Sequence, residues 1–304
     1  MRNSVTIGSR GSKLALIQAE WVLVKLREYN PKLESSIIKI ATTGDLEVST
    51  ALDKFSGQGI FVKELEKALL DNKIDIAVHS LKDMPTEIPH RLSLAAVTKR
   101  LDPRDVLVSR GRKLTELPTK AKIGTGSLRR AAQLLACRPD LEICQIRGNI
   151  DTRLRKVSQG EFDGIILAAA ALIRLGWENK ITEYLPVEHF TPSVGQGVLG
   201  IEIRVEDKAA ASLISCINHE PTWQCIVAER TFLQTLGGGC RTPIAALGNI
   251  SNSTLHLGGM VASTKTNHIL YSSKEGNSLS SEQIGKSLAQ ELIEMGALQY
   301  IAET

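Results

Sequence analysis

One short pattern occurs twice in the chain and limits the folds that are open to it. Residues 7–15 read IGSRGSKLA and residues 123–131 read IGTGSLRRA. Each copy runs from the end of an apolar strand through a Gly/Ser/Thr loop to a serine, followed by basic residues at the start of a helix. Serine is a preferred N-cap residue, and a loop that leads into a helix N-terminus is suited to binding anions. The repeat predicts two successive α/β lobes, each with an anion-binding loop, and a cleft between them.

Strands alternate with helices on both sides of the second copy. Apolar runs predict strands at residues 36–40, 75–78, 106–108 and 141–146. Alternation of this kind is typical of α/β lobes with a largely parallel sheet, whose ligands gather at the carboxyl ends of the strands. A third region begins near Glu220 with a helix to about Leu236, followed by strand-like runs and a last helix that opens at Ser280. Gln283 follows Ser280 at the spacing of a capping box, so Ser280 is predicted as the N-cap of this last helix. The pattern of residues 220–304 as a whole predicts a small α+β domain.

Composition narrows the class of protein. The 304 residues carry a formal charge of +4 and only 4% aromatic residues, which argues against a nucleic-acid binder because few side chains can stack on bases. The longest apolar run, 165–173, is about half of a membrane span, and the first residues hold no apolar signal core. Five cysteines without a C-x-x-C pair argue against a disulfide framework and a metal site. We expect a cytoplasmic protein with reduced thiols, no metal and no membrane contact.

Arginines are concentrated between residues 125 and 156. Arg129 and Arg130 fall in the first turn of a predicted helix, where the helix dipole disfavours cations. A carboxylate or phosphate held by the loop N–H groups and gripped by both guanidinium groups would explain their position. The alternative is a solvated basic helix face, which suits Arg138 and Arg155 better than the others.

Three further features are candidates for chemistry. Asp83 lies in the segment HSLKD directly after the apolar strand 75–78, so its carboxylate is predicted at a strand end. There it could stabilise a developing cation or transfer a proton. The alternative is that Asp83 caps a helix and pairs with Lys82. Cys240 follows three glycines and precedes Arg241, a cation that would favour the thiolate, so it is a candidate nucleophile or attachment point; an inert buried thiol is the alternative. The run GQGVLG at 195–200 matches a dinucleotide fingerprint but enters a predicted strand instead of a helix, so it is interpreted as a hinge or crossover.

With these residues identified, the chain resembles the porphobilinogen deaminases, also called hydroxymethylbilane synthases, over nearly its whole length. The resemblance is carried by several long motifs in one order. They are GSR at 8–10, FVKELE at 61–66, DIAVHSLKD at 75–83, DPRD at 102–105, GTGSLRR at 124–130, RGN at 147–149, VGQG at 194–197 and GGC at 238–240.

The resemblance implies a transferase that joins four porphobilinogen molecules head to tail with loss of ammonia and releases hydroxymethylbilane on the way to haem. It also implies a dipyrromethane cofactor attached through a thioether to Cys240, and a catalytic role for Asp83. Each pyrrole ring carries two carboxylates, which the arginines are expected to bind. The implied cofactor-binding residues are Cys240, Lys82, Asp83, Thr125, Ser127, Arg129, Arg130, Arg147 and Gly148. The implied substrate-binding residues are Arg10, Ser12, Gln18, Arg153, Arg174 and Gln196.

The same resemblance implies two periplasmic-binding-protein-like lobes with a cleft between them and a small C-terminal domain. The predicted domains are residues 1–99 with 198–217, residues 100–197, and residues 218–304, the last carrying Cys240. We expect a monomer that passes its product to the next enzyme of the pathway. Two positions depart from the family: Gln58 stands where a lysine is common in bacterial members, in a mobile segment over the cleft (54–59), and Gly126 replaces a frequent serine. A two-lobed anion receptor without catalysis is the rival interpretation.

Overall fold

A computed structural model of the chain describes residues 3–41, 62–239 and 242–303. By their contacts the residues form two units. Unit 1 holds residues 1–100 and 198–223, and unit 2 holds residues 101–197 and 224–304. The chain therefore passes from unit 2 to unit 1 directly after the GQG run. The division into three domains stays a prediction, and so do the roles assigned to Cys240, Gln58 and the segment 54–59, all of which lie outside the described residues.

Unit 1 is built on a five-stranded sheet in the order β2-β1-β3-β10-β4. Its strands are β1 (Ser4–Arg10), β2 (Glu34–Ile40), β3 (Ile76–Ser80), β4 (Leu92–Val97) and β10 (Leu199–Arg204). Its helices are α1 (Lys13–Tyr29), α2 (Lys63–Leu70) and α6 (Lys208–Ile214). The strands β1, β2 and β3 are parallel, whereas β10 runs antiparallel to both β3 and β4. Apolar side chains of β1, α1, β10 and α6 form the core on one face of the sheet.

Unit 2 begins with a second sheet of matching order, β7-β6-β8-β5-β9. Its strands are β5 (Asp105–Ser109), β6 (Lys122–Gly124), β7 (Glu142–Cys144), β8 (Gly164–Ala168) and β9 (Glu183–Tyr184). Its helices are α3 (Leu128–Cys137), α4 (Ile150–Ser158) and α5 (Ala169–Leu175). As in unit 1, four of the five strands run in one direction, and β5 is antiparallel to both of its neighbours. The two copies of the sequence pattern are thus the equivalent central strands β1 and β6 and the helices that follow them.

The rest of unit 2 is a three-stranded antiparallel sheet with helices on it. Its strands are β11 (Ile244–Ser251), β12 (Thr254–Ala262) and β13 (Ile269–Asn277), and its helices are α7 (Glu220–Thr235, which begins in unit 1), α8 (Ser281–Glu294) and α9 (Ala297–Ile301). Phe232 of α7 and Leu288 of α8 pack on Leu257 of β12 in its core. The predicted α/β class with a small C-terminal α+β part is confirmed.

In each sheet four of the five strands run in one direction, as the prediction of a largely parallel sheet requires, while the strand that enters from the other part of the chain inserts antiparallel. Two details of the sequence interpretation are wrong. The strand predicted at 141–146 spans only Glu142–Cys144, so Arg147 lies beyond its end. Ser280 precedes α8 but makes no side-chain capping hydrogen bond, because a 3₁₀ turn over Ser278–Ser280 leads into the helix instead.

The crossover glycines show why the GQG run is not a nucleotide loop. Gly195 and Gly197 have φ of +73° and +88°, a backbone region that side chains disfavour, and β10 follows two residues later. The strand predicted after these glycines is confirmed. None of the helices in the described part of the chain combines the length and hydropathy that a bilayer crossing requires. The four cysteines within the described ranges are free thiols, and Cys137 and Cys216 are exposed.

Candidate active site

A pocket in unit 1 collects the predicted site residues of its strand ends. Arg10 is the last residue of β1, and Ser12 is the N-cap of α1, where its hydroxyl accepts a hydrogen bond from the Ala15 N–H at 3.3 Å. One turn further along α1, the Gln18 amide donates to the Ser80 hydroxyl at 3.0 Å. Asp83 lines the same pocket. The pocket thus combines a cation, small polar groups and one carboxylate.

Asp83 is held by the turn that follows β3. Residues Leu81–Asp83 form one 3₁₀ turn, and the buried Leu81 fixes it because its N–H donates to the Val198 carbonyl at 3.0 Å. The carboxylate is half-buried at the pocket wall, and Lys82 beside it is also half-buried. A carboxylate at a strand end in such a pocket is placed to face a ligand instead of the core.

A buried histidine–carboxylate contact lies at this pocket and was not predicted from the sequence. Nε2 of His79 is 3.0 Å from Oε2 of Glu202, and both side chains are buried. Glu202 belongs to β10, the strand that returns from unit 2, so the pair joins two strands that are 123 residues apart in sequence. His79 is therefore a buried residue that ties β3 to β10 beside the pocket.

In unit 2 the loop before α3 uses several of its polar groups internally. The Thr125 N–H donates to the Cys144 carbonyl at 2.9 Å, and the Ser127 N–H donates to the Thr125 hydroxyl at 3.2 Å. The Ser127 hydroxyl is the N-cap of α3 and accepts from the Arg130 N–H at 3.4 Å. The sequence pattern predicts that the N–H groups of this loop bind an anion, but those of Thr125 and Ser127 already donate hydrogen bonds within the protein. Anion binding in this unit depends mainly on side chains.

Arg129 and Arg130 meet an internal carboxylate. Their Nη2 atoms lie 2.8 and 2.7 Å from the two oxygens of Asp105, the first residue of β5, which is fully buried. Burial alone would raise the pKa of the Asp105 carboxyl, but the two guanidinium groups outweigh it and hold that pKa far below its usual range. Asp105 therefore supplies, from inside the protein, part of the negative charge that the sequence assigned to a ligand.

The other predicted residues of unit 2 lie around this cluster. Gln196 donates to Asp105 Oδ1 at 2.8 Å and to the Pro103 carbonyl at 2.7 Å. Arg174 donates to the Gly197 carbonyl at 2.9 Å, and burial lowers the pKa of its guanidinium to about 10. Arg153 donates to the Gly148 carbonyl at 2.8 Å, and its pKa is lowered by burial and by the charge of Arg130.

Arg147 and Gly148 lie in the turn between β7 and α4. Gly148 has φ of +100°, which explains the glycine there, and its carbonyl anchors Arg153. Arg155 is exposed, as expected for a residue on a solvated face. Arg138 is not: its side chain is 21% exposed, pairs with Asp140 at 2.7 Å and donates to the Leu114 and Leu117 carbonyls at 2.6 and 3.1 Å.

Comparison with known proteins places the chain in a family. The family model "Porphobilinogen deaminase, dipyromethane cofactor binding domain" matches residues 5–212, and the model of the C-terminal domain of the same family matches residues 223–294. The chain belongs to the porphobilinogen deaminase family. It is therefore a transferase of tetrapyrrole biosynthesis with a dipyrromethane cofactor, as the sequence predicted.

Individual relatives match over nearly the full length. The porphobilinogen deaminase of Alkaliphilus metalliredigens is 48% identical over 98% of this chain and 95% of that protein. The porphobilinogen deaminase of Geobacter sulfurreducens is 46% identical over 99% of this chain and 95% of that protein. Among solved structures, the periplasmic VFT2 domain of Bordetella pertussis BvgS aligns with a TM-score of 0.43 at 14% identity over 71% of this chain and 87% of that one, too distant a likeness to support an argument.

Asp105 is the functional candidate that the sequence interpretation missed. It stands in the DPRD motif that marks the family resemblance, yet the motif alone assigned it no role. One signal was present: an acidic residue opens an otherwise apolar strand, Val106 to Val108, and a buried acid needs a cationic partner.

Proposed function

We propose that the enzyme joins four porphobilinogen molecules head to tail, with loss of one ammonia at each addition, and releases linear hydroxymethylbilane. Membership of the family supports this reaction, and the observation that carries it is the cluster of arginines in unit 2, of which Arg129 and Arg130 are buried and Arg153 and Arg174 are half-buried. Buried guanidinium groups are costly unless they meet anions, and every pyrrole ring of this substrate bears two carboxylates.

The residues of unit 2 fit a dipyrromethane. Nε of Arg130 is buried without a hydrogen-bond partner among the described residues, which is the kind of donor that a ligand carboxylate satisfies. When bound, the cofactor supplies the pyrrole carbon to which the first substrate ring is joined. We assign its carboxylates to Arg129, Arg130 and Arg147, with Lys82, Thr125, Ser127 and Gly148 as further contacts, and its covalent attachment to Cys240.

We assign to Asp83 the stabilisation of positive charge and the transfer of protons in each addition. The C–N bond of the substrate aminomethyl group breaks, ammonia leaves with the bonding electron pair and a proton, and positive charge develops on the pyrrole. A carboxylate near the pyrrole nitrogen stabilises that charge, and it can accept the proton that is lost when the new C–C bond forms. Arg10, Ser12 and Gln18 share the pocket with Asp83 and are assigned to the carboxylates of the incoming ring, as are Arg153, Arg174 and Gln196 of unit 2.

The location and the assembly state are part of the same proposal. Free thiols at the four described cysteines suit a reducing compartment, which supports the cytoplasm. We expect a monomer that passes hydroxymethylbilane to the next enzyme, and size-exclusion chromatography with light scattering tests the monomer.

Intact-protein mass spectrometry tests the cofactor assignment. The purified wild type is expected to carry a covalent adduct of two pyrrole units, and Cys240→Ala is expected to lack it, with Cys216→Ala as the matched control that keeps it. A wild type without the adduct, or an adduct that survives in Cys240→Ala, contradicts the attachment.

Ammonia release from porphobilinogen tests the reaction itself. The wild type should release ammonia and form a linear tetrapyrrole, whereas an anion receptor would bind porphobilinogen without releasing ammonia. Asp83→Ala should reduce turnover about 100-fold or more, the range expected for loss of a general acid–base group, while its thermal unfolding stays cooperative. Turnover near the wild-type rate would remove Asp83 from the mechanism.

A further inference from the structure

Arg129 and Arg130 are neighbours in sequence, and their geometry needs an explanation. Consecutive residues of a helix point about 100° apart and do not face each other, and two adjacent cations repel. Yet both guanidinium groups converge on one carboxylate, that of Asp105, through Nη2 atoms at 2.8 and 2.7 Å. The attraction to Asp105 offsets the repulsion and brings the two groups together.

Each guanidinium is fixed at a second point. Nη1 of Arg129 donates to the Thr191 carbonyl at 2.7 Å, and Nη1 of Arg130 donates to the Ile166 carbonyl at 3.0 Å. Two contacts from different directions set both the position and the plane of a guanidinium. Asp105 itself cannot move, because it is fully buried, opens β5 opposite Ala168 and accepts from Gln196.

The cluster keeps binding capacity after these contacts. Each guanidinium has five N–H donors, and two arginines against one aspartate leave a net charge of +1. Nε of Arg130 has no hydrogen-bond partner within the described part of the chain, although the residue is buried. A buried unsatisfied donor beside a net positive charge favours an anionic acceptor from outside the protein.

We propose that Asp105 is a positioning residue for carboxylate recognition: it holds the Arg129 and Arg130 guanidinium groups together so that their remaining donors bind one carboxylate of the dipyrromethane cofactor. The inference rests on the proposed function for the identity of the ligand. Asp105 touches no substrate in this role and acts through the two arginines. Without the carboxylate, repulsion separates the guanidinium groups and the shared binding face is lost.

The test compares Asp105→Asn with a matched control, Asp102→Asn. Asp102 belongs to the same DPRD motif, but its carboxylate pairs with Arg104, whose side chain is 42% exposed, and not with Arg129 or Arg130. Three quantities are measured for each purified protein: the fraction of molecules that carry the two-pyrrole adduct, by intact-protein mass spectrometry, the kcat and KM for ammonia release per loaded molecule, and cooperative thermal unfolding. We expect Asp105→Asn to lower the adduct fraction and to reduce kcat/KM of the loaded molecules about 10- to 100-fold, the effect of losing a charge-assisted contact, and Asp102→Asn to change both less than twofold.

A purely structural role for Asp105 gives a different pattern. Asp105→Asn would then lower the melting temperature and the yield of folded protein, but the adduct fraction of the folded protein and its kcat/KM per loaded molecule would match the wild type, and this result overturns the inference. If Asp105→Asn does not fold, Asp105→Glu decides, because it keeps the charge and displaces the carboxylate by one methylene. A lowered adduct fraction and kcat/KM in folded Asp105→Glu support positioning, and wild-type values overturn it. Lack of ammonia release by the wild type would refute the proposed function, while the adduct fraction would still decide the role of Asp105.

Discussion

Arg204 provides a quantitative test of how unit 1 is held together. This residue ends β10, and its guanidinium is buried. It donates to the Leu69 and Ile74 carbonyls at 2.8 and 2.7 Å and contacts Asp75 at 3.3 Å and Asp207 at 2.9 Å. We predict that Arg204→Met lowers the free energy of unfolding by about 3–5 kcal/mol, the usual cost of removing one partner of a buried ion pair.

The structure explains why the loss should not be larger. Asp75 keeps a hydrogen bond from the Thr6 N–H at 2.8 Å, and Asp207 keeps one from the Ala210 N–H at 2.9 Å, so neither carboxylate is left without a partner. The main penalty falls on the Leu69 and Ile74 carbonyls, which lose a charged donor in the protein interior. The methionine side chain replaces part of the lost apolar contact.

Urea unfolding followed by circular dichroism measures the loss. The control is Arg91→Met, because Arg91 is exposed and its contact with Glu206 is 3.6 Å long, so its removal should cost less than about 1 kcal/mol. A loss for Arg204→Met that is no greater than that of Arg91→Met would refute the argument that the buried guanidinium stabilises unit 1.

Three other substitutions test packing and charge. Gly126→Ser should leave the melting temperature within about 1–2 °C, because its Cβ would lie 3.3 Å from the movable end of Gln145 and the glycine φ is not positive; a larger fall contradicts this. Gly285→Ala should lower the free energy of unfolding in urea by about 1–3 kcal/mol, since its Cβ would overlap the Ala228 carbonyl oxygen where α7 and α8 touch. An unchanged midpoint of urea unfolding would show that the two helices can move apart at no cost. Burial and, secondarily, Glu202 raise the pKa of the Glu66 carboxyl, so the charged form of Glu66 is disfavoured in the folded state. Glu66→Gln should therefore raise the melting temperature at pH 8, and this gain should disappear below about pH 4, where Glu66 is protonated in both states. A gain that does not depend on pH would contradict this cause.

The equivalent halves of the fold could be predicted because their signals are local. Glycine and serine between an apolar strand and a helix identify the turn and its N-cap, and both predicted caps, Ser12 and Ser127, accept a backbone hydrogen bond in the structure. The antiparallel strand in each sheet could not be predicted. Residues of β10 pair with β3 about 120 residues earlier, and no local pattern in Leu199–Arg204 specifies that partner or its direction.

Predicting the site met the same limit. Position in a helix showed that Arg129 and Arg130 need an anion, and this physical requirement is correct. The sequence could not show that one such anion is Asp105, because the contact depends on where β5 enters the sheet beside β8. A cation in the first turn of a helix, where the helix dipole disfavours it, therefore indicates that an anion lies nearby. Only the tertiary structure shows whether that anion is a protein side chain or a ligand.

Charge balance then separates the arginines of unit 2 by their dependence on a ligand. The pKa of Arg129 is lowered by burial, but Asp105 opposes that effect. No carboxylate of the described residues forms an ion pair with Arg153 or Arg174, and burial lowers the pKa of both guanidinium groups, to about 10 for Arg174. A bound carboxylate would remove most of this penalty. Anionic ligand should therefore stabilise unit 2 chiefly through Arg153 and Arg174, whereas Arg129 and Arg130 are already ordered by Asp105 before any ligand binds.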